Sequence, residues 1–281
     1  MRKIFLIACL LAVLCSKNIL HAAENAELPD KAKLAANRMR FDSNTGDFIA
    51  DGNVTITAGD FKVVAPVGTG NVEKQIINFS KGISASGKWL GDKINLKSGN
   101  VSISFSGIPT CKFNNGVSGS YGTIKLEADK LTISGAGGFD KKPKNNDNQT
   151  KFWLTNVKKL EDLSRGMTFT AGAVEGVLKG GELHSMTAKN GVHLKGKPKN
   201  QKQAVTLRGD SALYSFARGS IVVSGHVVAT QGGRTLKSDS IVYFPDQNRV
   251  EALGGITRKR GKKNQTGQAE ITIDLRRERE N

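Results

Sequence analysis

The sequence predicts an all-β chain of stacked antiparallel strands, solenoid-like in that each unit adds a strand pair to a continuous sheet. Three observations predict this. Apolar and polar residues alternate in short runs along most of the chain. Glycine is abundant, 32 of 281 residues, and proline is scarce at 6; with many Val, Ile and Thr this is the composition of short strands and tight turns. The stretch Phe41–Ile83 also finds a match further along the chain, at Tyr214–Ile256.

The first 23 residues stand apart. Arg2 and Lys3 precede an apolar run of 12 residues from Ile4 to Cys15, and Leu20-His21-Ala22-Ala23 supplies small residues for cleavage. A spanning helix needs about 20 apolar residues, so the segment reads as a cleaved secretory signal, cut after Ala22 or Ala23, with an uncleaved anchor as the alternative. This segment is far richer in apolar residues than the 38% of the whole chain, and what remains is too little for a deep two-layer α/β core. The mature chain, 24–281, keeps a single cysteine, Cys111. It has no partner for an internal disulfide and no second thiolate for a zinc site.

Strands follow in order. Phe48-Ile49-Ala50-Asp51-Gly52-Asn53-Val54-Thr55-Ile56-Thr57 puts Phe48, Ala50, Val54 and Ile56 on one face. Lys93–Lys97, Val101–Phe105, Ile124–Ala128 and Ile271–Leu275 alternate in the same way. Residues 151–163 break the rhythm: Leu154, Val157, Leu160 and Leu163 recur at i, i+3, which predicts one or two turns of helix.

The internal match aligns Phe41–Ile83 with Tyr214–Ile256 without a gap. Gly46, Gly52, Val54, Thr57, Gly59, Gly82 and Ile83 meet Gly219, Gly225, Val227, Thr230, Gly232, Gly255 and Ile256. The apolar parity follows, Phe48, Ala50, Val54 and Ile56 falling on Ile221, Val223, Val227 and Ala229. The glycines fall where strands turn or bend. Between the repeats, 135–151 is a Gly-rich then Lys/Asn-rich stretch, a flexible basic loop that reads as a surface insertion in one continuous domain.

Catalytic chemistry is not signalled. There is no Gly-x-Ser-x-Gly, P-loop or HExxH motif, and His184, His193 and His226 have no ligand spacing. Gly68-Thr69-Gly70-Asn71 lacks the third glycine and the helix of a dinucleotide site. Asp51, Asp129, Asp210 and Asp239 recur beside strands, where Asp is a turn former more often than a glycosidase carboxylate. No enzyme activity and no cofactor are expected. The net charge is +17, with 42 basic against 25 acidic residues; removing 1–23 takes Arg2, Lys3 and Lys17 and leaves +14. Export and an aromatic content of 6% argue against a nucleic-acid partner. Anionic lipids and phosphorylated glycolipids remain as partners for an exported cation.

Asn37-Arg38-Met39-Arg40-Phe41-Asp42, then Ala50-Asp51-Gly52-Asn53-Val54-Thr55-Ile56, resembles the motif of the OstA-like family of periplasmic lipopolysaccharide transport proteins: LptA, LptC and the N-terminal domain of LptD. The motif returns as Gly209-Asp210-Ser211-Ala212-Leu213-Tyr214 and Gly225-His226-Val227, followed by Leu236 to Tyr243 as the family's next strand. The two motif regions are about 36–84 and 205–257. His226 replaces an Asn, and Pro66 stands where the second repeat has Asp239. The resemblance implies an elongated, partly open β-jellyroll whose apolar interior holds acyl chains. It also implies head-to-tail stacking with LptC-like, LptD-like or identical units between the membranes.

On that reading the ligand-facing residues are Phe48, Val54 and Ile56 with Ile221, Val223 and Val227. The partner-docking edges are Met39 and Phe41 at one end and Ile271, Ile273 and Leu275 at the other, because a bare strand edge recruits another strand. The expected function is a non-enzymatic periplasmic carrier of lipopolysaccharide that helps bridge the inner to the outer membrane. The alternatives are an exported structural or adhesive β-solenoid and an outer-membrane barrel. Only 3 Tyr and 2 Trp speak against the barrel.

Overall fold

The computed structural model describes residues 33–273, except 59–60, 90–91, 105, 107, 109, 136–148, 164–165, 180–181, 198–202, 216–217, 246, 248, 254–257, 261–262 and 266–269. The expected signal segment, nearly all of the basic loop, and Leu275 lie outside the described residues. Within them the chain is all strand and turn. The strands are β1 (Lys33–Ala35), β2 (Arg38–Phe41), β3 (Asp47–Ala58), β4 (Phe61–Asn71), β5 (Ile76–Ser80), β6 (Ile83–Trp89), β7 (Asp92–Ser104), β8 (Thr110–Tyr121), β9 (Ile124–Gly135) and β10 (Gln149–Asp162). They continue as β11 (Met167–Lys179), β12 (Glu182–Gly196), β13 (Val205–Ser215), β14 (Ser220–Gln231), β15 (Arg234–Phe244), β16 (Arg249–Leu253), β17 (Arg258–Arg260), β18 (Lys263–Gln265) and β19 (Glu270–Ile273). The described chain is all-β and antiparallel, as the strand pattern predicts.

The chain divides into two compact units, one of Met1–Thr155 with Glu175–Leu183, the other of Asn156–Val174 with His184–Asn281. In the first unit, β1 and β2 pair end to end along the two halves of β3. β3 pairs with β4, β4 with both β5 and β6, those two with β7, and the meander continues through β8 to β9. In the second unit β12, β13, β14, β15 and β16 pair in sequence order. The offset that aligns Phe41 with Tyr214 also carries both ends of β3, β4 and β5 onto those of β14, β15 and β16. The copies part after that. In the first unit β6 pairs along Lys62–Val64 of β4. In the second, β19 takes the corresponding place on β15, pairing along Arg234–Lys237, while β17 and β18 form a separate hairpin.

Both units solve one problem in the same way. Strands such as β8, of 12 residues, and β12, of 15 residues, are too long for one flat layer. Each bends near its middle, where one inward position is skipped. On β3 the buried set runs Phe48, Ala50, then Val54, Ile56; on β8 it runs Cys111, Phe113, then Val117. On β12 it runs Ala188, then Val192, Leu194, and on β14 Ile221, Val223, then Val227, Ala229. The four-residue steps coincide with register shifts in the pairing. Each holds two consecutive left-handed residues: Gly52 and Asn53, Asn115 and Gly116, Asn190 and Gly191, Gly225 and His226. These are β-bulges, in which the extra residue bends and twists the strand. Gly, Asn and His are the residue types that enter left-handed space at least cost.

Other strands change their inward parity instead. Leu126 and Ala128 are followed by Leu131 and Ile133 on β9, and on β15 Ser238 and Ser240 by Ile241 and Tyr243. A reset takes backbone carbonyls off the ladder, and serine side chains satisfy some of them. Ser98 Oγ donates to the carbonyls of Asn100 (3.0 Å) and Asn114 (2.9 Å), and Ser238 Oγ to that of Ser240 (3.0 Å). An unpaired buried carbonyl would cost roughly 1–3 kcal/mol.

The helix predicted over 151–163 is not formed; these residues are β10. Phe152 and Leu154 are buried, Asn156 is left-handed (φ 50°), and Val157 is the next buried residue. The i, i+3 spacing of Leu154 and Val157 is a strand reset, which has the same three-residue step as one helical turn.

Candidate functional site

Each unit presents one apolar face inward. In the first, Phe48, Val54 and Ile56 of β3 are 8%, 0% and 7% exposed. Their cross-strand neighbours on β4 are Gly70, Ala65 and Val63. Small residues opposite large ones let the face close: a Cβ on Gly70 would lie 2.6 Å from Phe48 Cζ. In the second unit Ile221, Val223 and Val227 of β14 are 6%, 0% and 1% exposed, opposite Tyr243, Ile241 and Ser238 of β15. The structure thus places all six candidate interior residues on inner faces, three in each unit.

Sequence reasoning missed the residues that fill these faces most completely. Phe79, Phe113 and Leu131 in the first unit, and Leu194, Leu207 and Tyr243 in the second, are among the large side chains with almost no exposure. Half of them lie outside the two motif regions. The available signal was parity, once corrected for the step at each bend.

At β2 the inner face runs out. Met39 and Phe41 pair opposite Ala50 and Phe48 and so share their face. The β3 pair is buried, yet Met39 and Phe41 are 47% and 59% exposed. β1 precedes β2, so Met39–Phe41 is not the first described strand. At the other edge candidate, Ile271 and Ile273 lie on β19, opposite Leu236 and Arg234 of β15; Leu275 lies outside the described residues.

Polar groups near the bends and turns are positional. Asn71 donates from Nδ2 to Asp47 Oδ1 (2.6 Å) and to the Thr45 carbonyl (2.8 Å), and accepts from the Lys74 amide at Oδ1 (2.7 Å). These bonds tie the start of β3 to the end of β4. The bond from Asn71, helped by one from Thr45, holds the Asp47 carboxyl below its ordinary value. Asp51 pairs with Arg38 (3.0 Å) and Asp210 with His226 Nδ1 (3.1 Å). His193 lies on β12 opposite Arg208. Its partial burial, then the charges of Arg208 and Lys195, lower its pKa. No group of three or more potential metal ligands comes together among the described residues.

The arrangement offers an apolar surface built by alternate residues of long strands, and its polar groups serve turns and bulges. Residues 110–249 and 206–276 match the family described as LptA/(LptD N-terminal domain) LPS transport protein. The two matches together run from 110 to 276, more than half of the chain. Among solved structures, the chain is similar to LptH, the LptA homologous periplasmic component of the conserved lipopolysaccharide transport device from Pseudomonas aeruginosa. The two are 12% identical, the match covers 87% of this chain and 95% of that one, and the TM-score is 0.28. No curated protein matches. By the match over 110–276 the chain belongs to the LptA/LptD N-terminal domain family of LPS transport proteins.

Proposed function

We propose that this protein is a non-enzymatic periplasmic carrier that holds lipopolysaccharide acyl chains on the apolar inner face of its sheet. It passes them along a bridge of related domains between the two membranes. One observation carries the reading: an inner face of Phe48, Ala50, Val54 and Ile56 that runs out to uncovered apolar side chains at β2. Each CH₂ transferred from water to such a face contributes about 0.8 kcal/mol, so acyl chains bind without specific polar contacts. The family's transport role supports lipopolysaccharide as the lipid.

Bridge formation follows from the same surfaces. Met39 and Phe41 on β2, and Ile271, Ile273 and Leu275 near the other end, are the docking edges for LptC-like and LptD-like partners or for a second copy of this chain. Exposure of Met39 and Phe41 favours this role for β2. The +14 charge of the mature chain, the +17 total less Arg2, Lys3 and Lys17, draws phosphorylated headgroups toward the protein, a steering effect that salt weakens.

The test is to export the protein in a host that makes lipopolysaccharide, purify it without detergent, extract bound lipid and identify it by mass spectrometry. Stoichiometric lipopolysaccharide is the expected result. Protein that purifies free of lipid, and takes up none when lipopolysaccharide is added, contradicts the proposal.

A further inference from the structure

The outer face of the first unit carries a cleft of about 640 Å³ at the bend. It opens where the hydrogen-bonded ladder is interrupted. Val64 of β4 pairs with Ser84 of β6 and Val67 with Ser80 of β5, leaving Ala65 and Pro66 facing the left-handed Lys81-Gly82 link. Val64, Pro66 and Val67 make an apolar floor, and Ser84, Lys81 and Lys97 stand beside it. Val64, Ser84 and Lys97 lie in one outward row across β4, β6 and β7, so about 10 Å separates the floor from the Lys97 backbone.

Two features distinguish this cleft from an ordinary solvated bend. The first is the contrast with the equivalent stretch of the second repeat. There Val64, Pro66 and Val67 are replaced by Lys237, Asp239 and Ser240 on a strand with matching bounds. At the positions of Val64 and Pro66 the bend therefore does not require apolar residues on its outer side, while Ser240, at that of Val67, is buried. A floor of half-buried Val64 and Val67 with exposed Pro66 is an apolar patch with a separate cause. The second is charge. Asp51, the one acidic residue of the lining, is paired with Arg38, whereas Lys81 and Lys97 have no ion-pair partner among the described residues.

We propose that this cleft binds a single-chain anionic amphiphile, with its tail on Val64, Pro66 and Val67 and its head group over Ser84 between Lys81 and Lys97. The volume suits one small molecule, not a bilayer surface. The site faces away from the interior proposed to carry lipopolysaccharide, and it does not depend on that reading.

The test is isothermal titration of the mature protein with dodecyl phosphate below its micelle concentration, beside inorganic phosphate and dodecyl maltoside. Dodecyl phosphate should bind with one-to-one stoichiometry and much more tightly than either comparison ligand. K81Q/K97Q should weaken it roughly tenfold, since each exposed pair contributes modestly, and should flatten its salt dependence. V64K/P66D/V67S, which installs the residues of the second repeat, should abolish measurable binding while circular dichroism stays unchanged. If that variant misfolds, K81Q/K97Q decides alone. Unchanged affinity in K81Q/K97Q, or inorganic phosphate binding as tightly as dodecyl phosphate, overturns the proposal. Capture of lipopolysaccharide at Ile56 on the inner face, measured in the same variants, reports separately on the carrier reading.

Discussion

Phe41 lies directly opposite Phe48 across the β2–β3 pair, with both rings on the inner face, yet Phe48 is 8% exposed and Phe41 59%. The Phe48 ring lies against Gly70 of β4, one strand further in. Two identical side chains on one continuous surface therefore have different roles. Phe48 is covered on that face, and Phe41 leaves the same chemistry exposed.

That difference is measurable as stability. Phe48→Ala should cost about 3–5 kcal/mol, the range for a buried Phe truncated in a core. Phe41→Ser and Met39→Ser should stay within about 0.5 kcal/mol, as exposed substitutions do. Urea unfolding followed by circular dichroism checks both. Equal losses at 41 and 48 would mean that β2 is covered like β3.

The bulges make a second prediction. Gly116 sits at φ 82° with open space where a Cβ would go, so Gly116→Ala meets only left-handed strain, about 1–2 kcal/mol. Gly99 has no such φ, but a Cβ there would lie 2.6 Å from Asn115 Cβ and 2.9 Å from the Asn115 carbonyl oxygen. Gly99→Ala must push the β8 bulge aside, and should destabilise more than Gly116→Ala. The reverse order in thermal unfolding would show that the bulge yields easily.

His193 predicts a pH dependence. Burial, then Arg208 and Lys195, put its folded-state pKa below the unfolded value, near 6.5. The part of β11 in the same unit, Met167–Val174, carries no charged residue, so nothing there offsets the two cations. A depressed pKa contributes stability that is present above the unfolded value and lost as pH falls through the folded one. His193→Gln should therefore flatten the loss of stability below about pH 6.5 and change little at pH 8. An unfolding midpoint that follows the same pH curve in both proteins would contradict the assignment.

Docking at β19 predicts the behaviour of Ile273→Pro. Proline removes an amide donor from a four-residue strand that pairs along Arg234–Lys237 of β15. Self-association should be lost while the monomer stays folded. Light scattering across concentration, with far-UV circular dichroism as control, reads both. Association like that of the parent, or outright unfolding, would remove this end from the docking account.

The strand character was legible because alternation survives on both sides of every bend, as in Phe48, Ala50, Val54 and Ile56. The bends were legible only in part. Gly52-Asn53 already reads as lying within one strand, Phe48–Thr57, whereas Asn190-Gly191 carries the letters of a hairpin turn; the pairing reveals both as bulges. At Leu154–Val157 the same reset imitates a helical period. Deeply buried side chains beyond a change of parity, such as Leu131 and Tyr243, were missed for a related reason. A one-residue change of parity cannot be placed until cross-strand partners are known, and those come from residues far apart in sequence. Ser98 was equally illegible, because its role depends on a carbonyl 16 residues away.

The central claim is that the inner face carries the lipid. A photo-crosslinking residue at Ile56, 7% exposed on that face, is compared in cells with one at Thr57, the next residue and exposed on the opposite face. The account predicts capture of lipopolysaccharide at 56 and none at 57. Equal capture at both, or capture at 57 alone, would contradict it.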